Sequence, residues 1–318
     1  TKLMTALVAI ENANLHDSVV VHQVAQGVEG SSIYLTAGEQ LTIEELLYGL
    51  MLRSGNDAAV ALAHEIGAGS VERFVAIMNA TAIRLGAYST NFENPHGLPS
   101  DDHYTTVHDL SRIAAYALKN EKFEEVVSTK YKEIPWEGSQ WNRVLKNSNQ
   151  LLWSFEGANG VKTGFTRAAG RCLVSSAKRD GMQLVCVVLN CGPMFEESSA
   201  ILEYGFQMYK SYELIDSKEC MASTPIENGI FSKADLYPQE SYKVALTDRE
   251  FEELNIKVEI PDILYAPLQK GDICGNIIID IGDETIKEIP LISKSNIPMK
   301  GLQRHREKIS NLLNRIKG

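Results

Sequence analysis

Long apolar runs are missing from this chain. No stretch of its 318 residues approaches the ~20 that carry a helix across a bilayer, so no spanning helix is expected. Cysteine is scarce: the five at positions 172, 186, 191, 220 and 274 are odd in number and never spaced as CxxC, which argues against a zinc centre. Cys172 and Cys186 lie in apolar strand patterns and read as small buried hydrophobes. Positive charge is also in deficit. With 31 Lys and Arg against 41 Asp and Glu, the net charge is −10, which argues against nucleic acid as a partner. No metal and no cofactor is expected. A secretory leader is absent as well, yet Thr1-Lys2-Leu3-Met4 already lies inside an apolar helical pattern, so the chain is expected to be trimmed at its start.

What is present is the composition of a globular protein, 44% hydrophobic and 23% charged, at a length that suits two domains. Leu3, Leu7 and Ile10, with Met4 and Val8 beside them, mark a buried helix over Lys2–Asn12. Ser18–Val24 and Ser31–Leu35 read as short strands of a hairpin. Thr42 and Glu45 form a capping box that opens a helix ending at Ser54-Gly55-Asn56, and a second helix starts at once. Ser70–Leu85 and Thr106–Leu118 are further helices, and Asn94-Pro95-His96-Gly97-Leu98-Pro99 is a rigid loop in which His96 stabilises the turn. Trp136, Trp141 and Trp153 read as packing residues. Strands over Arg171–Lys178 and Met182–Asn190 flank the turn Arg179-Asp180-Gly181, and Phe195–Met208 returns to helix. From about Tyr212 to Ser295, short strands separated by turn residues form a distinct β-rich region. Over Asn296–Gly318, Ile309, Leu312, Leu313 and Ile316 line one face, while six Lys and Arg oppose one Glu.

Chemistry concentrates in three places. Lys2 stands at the start of the first helix, Ser54-Gly55-Asn56 occupies the helix break, and Lys162-Thr163-Gly164 lies in a strand entered through a glycine turn. Alternation puts Lys162 and Gly164 on one face of that strand and Thr163 on the other. Lysine offers a cation, threonine a hydroxyl, and glycine leaves room for a ligand against the backbone.

These motifs, in this order, resemble the serine D-alanyl-D-alanine carboxypeptidases, low-molecular-mass penicillin-binding proteins that carry S-x-x-K, S-x-N and K-T-G. Thr1-Lys2-Leu3-Met4-Thr5-Ala6-Leu7 resembles the end of the first motif and its helix. Asn94-Pro95-His96-Gly97-Leu98 and Ala266-Pro267-Leu268-Gln269-Lys270-Gly271 add to the likeness, which covers nearly the whole chain. It implies an α/β (α+β) catalytic domain, with an antiparallel sheet and a helical cluster, over residues 1–211. A smaller all-β domain over 212–295 and a basic amphipathic tail helix over 296–318 follow. The nucleophilic serine belongs three residues before Lys2, outside the sequence, so the 318 residues alone are expected to be inert.

The resemblance also implies roles. Lys2 is the general base, its pKa lowered by burial near a second cation, for which Lys162 is the candidate. Ser54 relays protons to the leaving amine, Asn56 binds the substrate's peptide group, and Lys162 and Thr163 hold its terminal carboxylate. Gly164 leaves the backbone open, and the Phe165 N–H joins the oxyanion hole. The implied substrate is the peptidoglycan stem peptide, with β-lactams as covalent inhibitors, on the outer face of the cytoplasmic membrane, which the tail would touch. Two alternatives share the motifs: a β-lactamase, which needs a deacylating carboxylate that no glutamate here can be assigned to, and a non-catalytic binder without the serine.

Overall fold

The computed structural model describes residues 1–301, which divide into two compact units, one spanning Thr1–Phe206 and the other beginning at Gln207. The first is organised around α1 (Lys2–Asn12), whose Leu3 to Ala9 are all buried. β1 (Ser18–Val20) pairs antiparallel with β2 (Gln40–Thr42). The observed capping box, in which Thr42 accepts from the Glu45 N–H while the Glu45 side chain accepts from that of Thr42, opens α2 (Ile43–Leu52). Next come α3 (Asn56–Ile66), α4 (Val71–Arg84), α5 (Val107–Ala117) and α6 (Glu121–Ser128). α1 packs against α2 to α6, and their shared core includes Leu7, Leu47, Leu50, Leu62, Phe74 and Phe123. Truncating one such leucine to alanine costs about 2–5 kcal/mol.

A hairpin of β3 (Tyr131–Ile134) and β4 (Arg143–Lys146) leads through the short α7 (Leu151–Ser154) into an antiparallel sheet. Its order is β5 (Ala158–Thr166), β6 (Gly170–Arg179) and β7 (Met182–Val188), and Asp180 and Gly181 take the positive φ values of a tight hairpin turn. Val161 and Val174 face the helical core, whereas Leu173, Ala177 and Cys186 pack with Leu151 and with Leu202 of α8 (Met194–Met208). The sheet is therefore covered on both faces, and β5 lies at its edge.

Several local expectations change. Ser31–Leu35 forms no strand, because its amides are taken by the side chain of Asp57. The tryptophans are not core residues: Trp141 is 77% exposed, while Trp136, against the Arg143 guanidinium, and Trp153, against Tyr131, pack with one side and expose the other, because one face of the β3–β4 region is open to solvent. Cys186 is buried, but Cys172 is only partly covered and faces the cleft described below.

In the second unit, β8 (Lys210–Ile215), β9 (Ala222–Glu227), β10 (Lys233–Pro238) and β11 (Tyr242–Leu246) precede the short α9 (Asp248–Glu252). β12 (Leu254–Glu259), β13 (Leu264–Tyr265), β14 (Ile273–Ile281) and β15 (Glu284–Ser293) follow. The main sheet runs β12-β14-β15-β10-β9-β13, and β8 and β11 form a separate antiparallel ribbon. Alternating residues such as Leu236, Ile277, Ile279, Ile289 and Leu291 fill its core, which Ile297 joins from beyond the last strand. The amphipathic helix expected over 296–318 lies, from residue 302 on, outside the described residues.

Candidate active site

Lys2 takes the first position of α1, and its Nζ donates at 2.6 Å to Asn56 Oδ1 and at 2.6 Å to the His96 carbonyl. Asn56 opens α3 and is fixed from the other side. Its N–H donates to the Ser31 carbonyl at 2.7 Å and its side-chain amide to the Glu29 carbonyl at 2.6 Å. Gly30 lies between those two carbonyls at φ +94°, where an added Cβ would stand 2.7 Å from the Asn56 amide nitrogen, so only glycine fits. Ser54 has φ +61°, a left-handed conformation uncommon for serine, at the break between α2 and α3. Strain of that kind gathers at functional positions. It delivers Ser54 to the same cleft as Lys2 and Asn56.

β5 supplies the opposite wall. Lys162 is 8% exposed and donates from Nζ to the Thr163 carbonyl at 3.0 Å. Thr163 Oγ1 shares a 2.7 Å hydrogen bond with Ser148 Oγ, a partner that spacing alone did not reveal. A Cβ on Gly164 would meet only Cys172, at 3.8 Å, so packing does not demand glycine there and the space belongs to the cleft. Phe165 is paired with Arg171 across the β5–β6 ladder and is 70% exposed. The open cleft, of about 230 Å³, brings together all seven residues singled out from the sequence: Lys2, Ser54, Asn56, Lys162, Thr163, Gly164 and Phe165. Alternation along β5 does not keep Thr163 out of it. No Asp or Glu is among the described residues that line it.

Two lysines share this cleft, and burial shifts both. Burial lowers Lys2 to about 8, against a partial opposing effect from the Asp57 carboxylate. Burial, reinforced by the Lys2 cation, lowers Lys162 to about 7. Burial and then Lys2 also hold His96 down, at about 4, so its ring is neutral at pH 7. Its Nδ1 accepts from the Leu98 N–H at 3.2 Å, the turn-stabilising role expected of it, while its carbonyl orients Lys2.

Asp57 was missed by the sequence reading. It is buried and accepts from the N–H groups of Ile33 (3.0 Å), Leu35 (3.1 Å) and Ala58 (2.9 Å) and from Ser32 Oγ (2.5 Å). From the far side, buried Arg143 donates to the carbonyls of Ile33 (2.7 Å) and Tyr34 (3.1 Å) and to Glu39 (2.9 Å). An acidic residue directly after Asn56 was the available signal; Arg143 carried none. Among the described residues, no three His, Cys, Asp or Glu side chains gather as a metal site would need.

Comparison with known proteins gives the family and the fold. The family described as D-alanyl-D-alanine carboxypeptidase matches residues 1–192, and the C-terminal domain of penicillin-binding protein 5 matches residues 209–299. The D-alanyl-D-alanine carboxypeptidase DacF of Bacillus subtilis is 32% identical, the match covering 95% of this chain and 79% of that protein. DacC of Escherichia coli is 31% identical, covering 95% and 78%. Among solved structures, penicillin binding protein 5 from Haemophilus influenzae is similar with a TM-score of 0.73 at 26% identity, covering 93% of this chain and 89% of that one. The D-alanyl-D-alanine carboxypeptidase DacD from Francisella tularensis is similar with a TM-score of 0.66 at 28% identity, covering 94% and 87%.

Proposed function

The chain belongs to the D-alanyl-D-alanine carboxypeptidase family, and from that premise we propose the following division of labour in its cleft. The serine that belongs three residues before Lys2 attacks the carbonyl carbon of the penultimate D-alanine in a peptidoglycan stem peptide. Neutral Lys2 accepts the hydroxyl proton. The carbonyl oxygen gains negative charge and is held by backbone N–H groups, that of Phe165 among them. The C–N bond then breaks, Ser54 passes a proton to the departing amine, and terminal D-alanine leaves. Water hydrolyses the remaining ester and restores the serine. Asn56 orients the substrate's peptide group, Lys162 and Thr163 hold its terminal carboxylate, and Gly164 lets the substrate lie close to β5. A β-lactam would enter the same acylation step.

The observation that carries this reading is the 2.6 Å contact between Lys2 Nζ and Asn56 Oδ1, with Ser54 and Lys162 lining the same cleft. Asn56 Oδ1 and the His96 carbonyl orient the Lys2 amine, and burial lowers its pKa, so that it can give up its proton as a base for serine must. The lack of an acidic residue among the cleft's described lining residues favours a carboxypeptidase over a β-lactamase, which needs a deacylating carboxylate.

Its setting is then the outer side of the cytoplasmic membrane, where peptidoglycan is trimmed and where residues 302–318 would meet the lipid surface. The test uses full-length protein. Fluorescent penicillin should label it covalently, and it should release D-alanine from diacetyl-Lys-D-Ala-D-Ala. Lys2→Ala should slow acylation by roughly 10²–10⁴, the usual range for loss of a general base. Acylation at the parental rate would remove Lys2 from that role, and a residue other than serine at the nucleophile position would leave a binder in place of an enzyme.

A further inference from the structure

Away from the cleft, the exposed face of the β3–β4 hairpin carries aromatic rings and cations that the proposed reaction leaves unused. Tyr131 and Lys146 are direct partners in the β3–β4 register, and both point to solvent, next to the pair of Glu133 and Val144. Trp153 of α7 meets Tyr131 edge to face, with centroids 5.9 Å apart and planes at 77°. Lys146 Nζ lies 5.5 Å from the Trp153 centroid and 5.8 Å from that of Tyr131, and Lys130 Nζ lies 5.9 Å from Trp153. Tyr131 is 54% exposed and Trp153 43%, far more than a folded core would leave open. Exposed aromatics grouped with cations mark binding surfaces.

This face is held at a fixed place relative to the cleft. Asn147, next to Lys146, donates from its side chain to the Thr129 carbonyl at 3.0 Å, and its N–H donates to that of Lys130 at 2.9 Å. Buried Asn149 donates to the Gly160 carbonyl at the start of β5 at 2.8 Å. Ser148 between them hydrogen-bonds Thr163, which lines the cleft. The patch is therefore continuous with the substrate wall through three consecutive residues.

We propose that Lys130, Tyr131, Lys146 and Trp153 form a secondary docking surface for the polymeric form of the substrate, a glycan strand bearing acidic stem peptides. Sugar rings lie against the aromatic side chains, and carboxylates of neighbouring stem peptides meet the two ammonium groups. The charge is complementary locally, since Lys130 and Lys146 offer two cations to an anionic polymer against the one exposed carboxylate, Glu133, on the same strand face. A second contact on the same polymer raises the effective concentration of D-Ala-D-Ala ends at the cleft. This rests on the carboxypeptidase reading, which supplies the polymer as substrate.

The experiment compares full-length parent with Trp153→Ala and with the double variant Lys130→Gln, Lys146→Gln. The double variant keeps the patch testable if loss of Trp153 disturbs folding. D-alanine release is measured from diacetyl-Lys-D-Ala-D-Ala and from isolated sacculi, and cosedimentation with sacculi and with phosphatidylglycerol vesicles is measured separately. Release from the small peptide should stay within about twofold, while release from sacculi and sacculus binding should each fall roughly tenfold, in keeping with the loss of a few exposed ring and carboxylate–ammonium contacts to the polymer. Unchanged sacculus binding and release would overturn the docking surface, and so would equal losses on both substrates. Loss of vesicle binding with sacculus binding intact would overturn it in favour of a lipid contact. If the parent releases D-alanine from neither substrate while the variants still lose sacculus binding, the docking surface stands and the hydrolase reading falls.

Discussion

In the proposed reaction, Lys2 and Lys162 are useful only in opposite protonation states. A base must be neutral and a carboxylate holder must be charged, so the productive cleft carries one proton on the pair. Burial is the main cause of both lowered values. About 8 for Lys2 against about 7 for Lys162 makes the one-proton pair most populated between them, with the proton mostly on Lys2. The productive arrangement, Lys2 neutral and Lys162 charged, is therefore the minor form of that pair and rises and falls with it. Below about pH 7 both ammoniums are charged and no base is available. Above about pH 8 both are neutral and the terminal carboxylate loses its cation. The kcat/KM for D-alanine release should therefore trace a bell with limbs near 7 and 8, checked across pH 5.5–9.5 in full-length protein. A flat profile through that range would separate the pair from the reaction. Most of the residue scale could be read in advance: Lys2, Ser54, Asn56 and β5 came from motif order. Ser148 could not, because its contact with Thr163 joins positions brought together only by the turn through α7.

At the scale of elements, local signals held where the physics was local. The Thr42–Glu45 capping box, the Asp180-Gly181 turn and the apolar stripe of α1 each depend on neighbours within a few residues. Ser31–Leu35 has the composition of a strand, yet Asp57, more than twenty residues on, supplies the acceptor its amides need, and tertiary structure overrides local preference. That carboxylate organises the entrance to the site, since the segment it pins also offers the Ser31 carbonyl to the Asn56 N–H. Asp57→Asn would turn an –NH2 toward amides that have nothing else to donate to. It should cost about 1–3 kcal/mol, the usual penalty for a buried unsatisfied polar group. Asn56 should loosen in turn and penicillin acylation should slow. Thermal denaturation together with the labelling rate checks both effects, and an unaltered melting temperature would show that the segment is held by Arg143 and packing alone.

For the whole molecule, the two units keep separate cores, and the second uses Ile297 and backbone contacts of residues 297–300 to complete its own. In sequence, residues 302–318 carry Arg304, Arg306, Lys308, Arg315 and Lys317 against the single acidic residue Glu307, a charge opposite to that of the whole chain. Each basic side chain near an anionic leaflet contributes about 1 kcal/mol, falling off within a Debye length of about 8 Å at physiological salt. Ile309, Leu312, Leu313 and Ile316 recur at a spacing that, in a helix, would give an apolar stripe able to enter the interface beside those charges, as the proposed membrane contact requires. Removing residues 302–318 takes away the basic segment and leaves Ile297 and the other described core residues of the β unit in the chain. Flotation with phosphatidylglycerol-rich liposomes should carry the full chain upward and leave the shortened one behind. The difference should shrink in 0.5 M salt if charge dominates and persist if the apolar stripe does. Equal flotation of the two forms would place any lipid contact elsewhere on the protein and remove the tail from that role.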